Sequence, residues 1–197
     1  MTGARRLSQA ISEGDGISIV ALVRDADAAT AAEGDGAEGL AVIGSVEGIR
    51  GSTSLPILFR VDGSPEAARE AGADACLIVV EDHDEEEHLE DLHARATELG
   101  LEIVVDVHDE ESLSGSLERI DPEIFLLSPR EADDDEEDLE RILDLLPDVP
   151  AGKLAIADLQ AATRDDVVAL ERAGVDAVLV GGASVAHLVG GAPPQEV

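Results

Sequence analysis

The sequence predicts a compact α/β fold, a (β/α)8 barrel with reduced first helices. Three observations carry the expectation. Eight short runs rich in Val, Ile and Leu recur along the 197 residues, and most lack the polar alternation of a half-exposed strand, as expected for strands buried on both faces. Helical patterns or short connectors separate them, and strict βα alternation implies a parallel sheet. The stretch AGADACLIVV (71–80) returns as AGVDAVLVGG (173–182), four βα units later, as a half-barrel repeat would have it. A doubly wound open sheet is the structural rival. It usually has fewer strands, and no GxGxxG follows the first run. One domain, residues 1–197, is expected.

Taken in order, the strands are ISIVALV (17–23), GLAVIG (39–44), PILFRV (56–61), ACLIVV (75–80), LEIVVDV (101–107), EIFLLS (123–128), KLAIA (153–157) and AVLVG (177–181). The first two connections, DADAATAAEGDGAEG and SVEGIRGSTS, leave little room for helices. SPEAAREAGA offers Ser64 as an N-cap and Pro65 at the first helical position. DEEEHLEDLHARATELG places Leu89, Leu92 and Leu99 on one face and ends at Gly100. HDEES, from His108, is a natural helix-start turn. DEEDLERILDLLP carries Leu139, Ile142, Leu143 and Leu146 at helical spacing and stops at Pro147. TRDDVVALERAGV has a Thr163 cap with Asp165 and Asp166 in the first turn, where the helix dipole favours carboxylates.

Composition then narrows the functional classes. There are 45 acidic side chains against 13 basic ones, a formal charge of −32, yet 44% of residues are apolar. That apolar content argues against disorder. Such a surface repels phosphate backbones and anionic lipid, so neither nucleic acid nor membrane is an expected partner. No run reaches the roughly 18 apolar residues of a membrane span, and the N-terminus lacks the apolar core of a signal peptide. A cytoplasmic location is expected. Lys153 is the only lysine, the other twelve cations are arginines, and Phe59 and Phe125 are the only aromatics. Dense acid, scarce lysine and small apolar residues predict adaptation to molar salt, where a Debye length of about 3 Å screens the mutual repulsion.

Cys76, the only cysteine, sits in an apolar run and reads as a core residue. His83, His88 and His93 are spaced by five, which puts them on different helix faces and makes a poor metal site. The acidic runs DHDEEE and EADDDEED read as solvated helix starts, without the spacing or glycine of a calcium loop. No metal and no cofactor are expected.

In a barrel, the C-terminal strand ends converge on one mouth. They bring Arg24 and Asp25, Arg60 and Asp62, Asp106 and His108, Ser128 and Arg130, Asp158, Gly181 and Gly182 there. Three arginines on so acid a chain have two readings. They clamp an anionic ligand through bidentate hydrogen bonds, or they pair structurally with Asp25, Asp62, Asp106 and Asp158. Gly181-Gly182-Ala183-Ser184 offers backbone N–H groups at a helix start, although tight βα turns also need glycine. Asp106 and His108 share a strand face, which fits an acid/base pair, a metal pair with Asp158, or a helix cap.

Several stretches resemble indole-3-glycerol phosphate synthase. LGLEIVVDVHDEESL (99–113) is similar to its fifth strand and following turn, AGADACLIVVE (71–81) to its fourth strand, and TRDDVVALERAGVDAVLVG (163–181) to its seventh helix and eighth strand. LSQAISEGDGISIVALVRD (7–25) and LPILFRVD (55–62) resemble its first and third strands more faintly. The resemblance implies ring closure of carboxyphenylamino-deoxyribulose phosphate to indole-glycerol phosphate, with loss of carbon dioxide and water. That reaction needs a lysine acid, a carboxylate partner and a phosphate cradle.

Carried over by position, the resemblance makes Arg60, Asp106 and Asp158 the catalytic candidates. Arg24, Ser128, Arg130, Gly181 and Gly182 become the ligand-binding candidates, and the ligand is a phosphorylated small molecule. The positions depart from the family's pattern in a regular way. Arg24 and Arg60 stand where lysines belong, and Asp106 where glutamate belongs. Ser128-Pro129-Arg130 replaces Asn-x-Arg, Ala157-Asp158-Leu159-Gln160 replaces Ala-Glu-Ser-Gly, and Gly181-Gly182 replaces Gly-Ser. An arginine, with a pKa above about 12, is a poor proton donor at neutral pH. Lys153 precedes the seventh strand, at the opposite end of the barrel. The readings left open are the family's lyase chemistry, a non-catalytic barrel that binds a phosphometabolite or a partner, and another phosphosugar isomerase or lyase using Asp106 and Asp158.

Overall fold

The computed structural model describes residues 6–14, 16–44, 48–60, 64–80, 86–129, 135–159, 162–182 and 185–189. Eight parallel strands close into a barrel in sequence order: β1 (Ser18–Val23), β2 (Gly39–Val42), β3 (Ile57–Phe59), β4 (Ala75–Val79), β5 (Glu102–Val107), β6 (Ile124–Leu127), β7 (Leu154–Asp158) and β8 (Ala177–Gly181). The β1–β8 seam closes it, in register from Ser18–Ala177 to Leu22–Gly181. The β3–β4 seam is short, with Leu58 beside Ala75 and Phe59 beside Cys76.

Each strand run predicted from sequence is present, trimmed by a residue or more at most ends. Helix α1 (Leu7–Ser12) precedes β1. The others follow the strands in turn: α2 (Ala26–Gly34), α3 (Ile49–Ser52), α4 (Pro65–Glu70), α5 (Glu86–Glu98), α6 (Glu110–Arg119), α7 (Asp135–Leu145), α8 (Arg164–Ala173) and α9 (Val185–Val189). Of the two early connections, the second holds only the four-residue α3, while the first accommodates the nine-residue α2. Among the described residues no helix is long and apolar enough to cross a membrane.

Side-chain chemistry places the starts of α2, α4, α6 and α8. Asp25 accepts the Ala28 N–H at 2.8 Å and Ser64 accepts that of Ala67 at 3.3 Å. Asp109 and Thr163 form capping boxes with Ser112 and Asp166, which satisfy N–H groups no helical carbonyl can reach.

Strand alternation sorts the core into two layers. Inside the barrel pack Val20, Ala41, Leu58, Ala75, Leu77, Val104, Ile124, Leu126, Ile156, Ala177 and Leu179. The alternate residues, with both phenylalanines and Cys76, pack outward against the helices. Leu7 and Ile11 of α1 join the inner layer, so α1 stops the barrel floor. Its N-terminus is capped from far away. The Glu102 carboxylate accepts the Leu7 N–H at 2.5 Å and the Ser8 N–H at 3.3 Å, and the Ser8 hydroxyl bonds its other oxygen.

The internal repeat is structural. Gly72 and Gly174 end α4 and α8 with φ of 76° and 99°, a conformation glycine enters without a Cβ penalty. The next N–H, of Ala73 or Val175, returns to Ala68 or Leu170, at 3.0 Å in both halves. Then Asp74 Oδ2 accepts the Ile57 N–H at 2.9 Å, and Asp176 Oδ2 accepts the Ala155 N–H at 2.8 Å. Each aspartate thus ties the foot of its own strand to the strand before it. Ile57 on β3 and Ala155 on β7 are therefore equivalent positions in the two half-barrels.

Candidate functional site

Continuing the inner-layer alternation toward the C-terminal ends identifies what reaches the mouth. Leu58 is followed by Arg60, Val104 by Asp106, Leu126 by Ser128, Ile156 by Asp158, and Leu179 by Gly181. The Arg60 Nη2 donates to Asp158 Oδ2 at 2.8 Å. Only 14% of the arginine side chain and 9% of the aspartate side chain are exposed. The Arg60 backbone N–H is held by the Val42 carbonyl at 2.8 Å. The second terminal nitrogen, Nη1, is buried and has no partner. On the neighbouring strands the Ser128 hydroxyl donates to Asp106 Oδ1, and Asp106 is itself buried. Among the described residues, two buried carboxylates, one guanidinium and one hydroxyl therefore line the mouth.

The remaining candidates divide. Arg24 is exposed at the end of β1, and its neighbour Asp25 is occupied as the cap of α2. His108 places Nε2 at 3.4 Å from Asp109 Oδ2, while its Nδ1 is buried without a partner. The cap of α6 is Asp109, which takes the Ser112 N–H at 2.7 Å. That backbone bond, foremost among its contacts, holds the Asp109 carboxyl below the usual aspartate range. Gly182 has a packing reason for lacking a side chain. A Cβ there would lie 2.9 Å from the Leu22 carbonyl oxygen and 3.3 Å from Val23 Cγ1. Gly181 sits beside Leu22 in the β1–β8 register. Asp62, Arg130, Ala183, Ser184 and His83, with the side chain of His88, lie outside the described residues.

Lys153 is at the floor, its Nζ 2.7 Å from Asp121 Oδ1. Cys76 is buried, and burial pushes its thiol up to about 11, the behaviour of a core residue. Among the described residues no group of three or more His, Cys, Asp or Glu could hold a metal. Sequence reasoning passed over Ile43. It follows inward-facing Ala41 by two and is 55% exposed, the one exposed large apolar side chain among those described. The period of two marks it, but nothing in its type suggests a ligand contact.

Comparison with known proteins agrees with this architecture. A sequence model of the family described as indole-3-glycerol phosphate synthase matches residues 64–187. The indole-3-glycerol phosphate synthase of Variovorax paradoxus (strain S110) is 37% identical over 136 residues, which cover 67% of this chain and 50% of that protein. The chain thus spans about half the length of that curated relative. Two mutant tryptophan synthase alpha-subunits from the hyperthermophile Pyrococcus furiosus superpose with a TM-score of 0.66 at 17% identity. Each superposition covers 85% of this chain and 88% of the other, a likeness of fold. On its own sequence match and closed eight-stranded barrel, the chain belongs to the indole-3-glycerol phosphate synthase family.

Proposed function

We propose that this barrel binds a phosphorylated, carboxylate-bearing metabolite at its C-terminal mouth and does not carry out the ring closure of its family. The observation that supports the reading is Arg60. It occupies the position that the family resemblance gives to a catalytic lysine, and it is held against Asp158. A guanidinium carries its proton through the whole neutral range, so it binds and orients but does not act as a general acid. In this reading Arg60, with Asp106 and Asp158, organises the bound ligand. Gly181 and Gly182 present backbone to its phosphate, Ser128 lines one side, Arg24 supplies positive charge at the rim, and Arg130 joins the ligand set on the family resemblance alone. Lys153, at the opposite end of the barrel, supplies no replacement acid.

The test uses the family's substrate, carboxyphenylamino-deoxyribulose phosphate, with folded protein in the molar KCl that the composition predicts. Calorimetric titration should show binding, and indole fluorescence should not rise. The protein has no tryptophan, so that signal has no background. A fluorescence rise would overturn the reading, and so would absence of binding. Arg60→Lys returns a titratable proton donor to the position, and turnover in that variant alone would assign the loss to this side chain.

A second reading rests on the burial of both Asp106 and Asp158. Two desolvated carboxylates on one mouth are the equipment of a phosphosugar isomerase or lyase. It requires that Asp158→Asn reshape the pH–rate profile on a phosphosugar that the wild-type protein converts.

A further inference from the structure

The Arg60–Asp158 pair joins β3 to β7. These strands lie four apart in either direction around the closed ring of eight, so they are opposite one another. Arg60 follows Ile57 by three residues and Asp158 follows Ala155 by three. The repeat makes those two foot positions equivalent, so the ion pair links matching positions of the two half-barrels across the barrel axis. Of the two terminal nitrogens, one is used. Nη2 donates to Oδ2 at 2.8 Å, while Nη1 is buried and unpartnered. A guanidinium satisfies a carboxylate best through two parallel N–H···O bonds, and a buried donor left unpaired is costly. The internal partner is thus under-using the arginine.

We propose that Asp158 is a displaceable internal ligand, a latch across the mouth that a metabolite carboxylate replaces on Arg60. The incoming carboxylate takes both Nη1 and Nη2, where Asp158 takes Nη2 alone. Its arrival releases the Asp158 carboxylate from Arg60. This rests on the reading of the mouth as an anion site, and it commits Arg60 to the carboxylate end of the ligand rather than to the phosphate end.

Two simple anions separate the ends: benzoate alone and inorganic phosphate alone, each titrated calorimetrically at one fixed chloride concentration. Asp158→Asn removes the internal competitor's charge. It should tighten benzoate by about tenfold, the order of one charge-assisted hydrogen bond, and leave phosphate unchanged. Arg60→Gln should abolish benzoate binding and spare phosphate. Benzoate affinity that is equal or weaker in Asp158→Asn overturns the latch, as does phosphate affinity that moves in parallel.

Removing one member of a buried pair can unfold a protein. Two further measurements therefore stand beside these. In wild-type protein labelled at the aspartate carboxyl carbons, benzoate saturation should shift the Asp158 resonance and phosphate should not. An unmoved resonance at benzoate saturation overturns the proposal. The double variant Arg60→Met with Asp158→Leu replaces the pair by apolar side chains and should fold without binding benzoate, whereas retained binding overturns it. None of these readouts involves turnover, so the latch and the loss of ring closure stand or fall separately.

Discussion

The floor and the mouth of the barrel both hold buried or half-buried carboxylates, but they hold them differently. At the floor, Asp74, Asp176 and Glu102 accept backbone N–H groups of Ile57, Ala155, Leu7 and Ser8, with the Arg50 guanidinium and the Ser8 hydroxyl as added side-chain donors to Asp74 and Glu102. At the mouth, Asp158 and Asp106 are engaged by the side chains of Arg60 and Ser128. A backbone donor has one position and no alternative partner, so the floor is fixed. A side-chain donor can turn, which is what the proposed exchange of ligands at the mouth requires. The contrast agrees with the division of labour general to these barrels, with stability at the N-terminal face and chemistry at the C-terminal face.

The contrast breaks if floor substitutions change ligand binding or mouth substitutions dominate stability. The largest stability effect is expected for Glu102→Ala, which strips the acceptor from two backbone N–H groups and the Ser8 hydroxyl. A loss of about 3 kcal/mol is expected, read as a lower urea midpoint by circular dichroism. Anion affinity at the mouth should not change.

Ser128→Ala should do the reverse. It removes one hydrogen bond to Asp106, so the stability cost should stay at about 1 kcal/mol or less, while substrate-analogue affinity falls. A Ser128→Ala midpoint shift as large as that of Glu102→Ala would erase the distinction.

The smallest effect lies between the two ends, at the cap of α6. The Asp109 carboxyl is held below its ordinary range, chiefly by the Ser112 N–H. Its stabilisation is therefore complete above the unfolded-state pKa of about 4 and fades as pH falls through the lower folded value. Asp109→Asn keeps an oxygen acceptor but does not titrate. The stability advantage of the wild type should therefore shrink on acidification, measured as urea midpoints at pH 7, 4.5 and 3. An advantage that grows toward acid would contradict the assignment.

The strands were legible because burial on both faces leaves a continuous apolar run. Helices α4 and α8 were legible because Ser64 and Thr163 announce themselves locally. Helix α1 was not. Arg6, at its cap position, makes no side-chain cap bond, and the acceptor is Glu102, distant in the chain and beside it only once the barrel has closed. The mouth was legible as a set of residue types at strand ends. The pairing was not, since nothing local distinguishes Asp158 from Asp25 as the partner of an arginine. That choice is made by the geometry of opposite strands. Gly182 shows the same limit. Its sequence suggests an anion cradle, while the structure adds the approach of the Leu22 carbonyl as an independent requirement for glycine.

The β1–β8 seam carries a consequence for how the chain assembles. It registers Ser18 against Ala177, so the sheet cannot close until nearly the whole sequence has been placed. Contacts of such long range make for slow folding. Until then β1 and β8 are both open edges, with unpaired backbone groups and the apolar faces of Val20 and Leu179 exposed, the kind of surface on which partly folded chains join one another. A formal charge of −32 keeps such intermediates apart wherever the ionic strength leaves the repulsion long-ranged. Refolding yield is therefore where the acid surface and the late-closing seam meet.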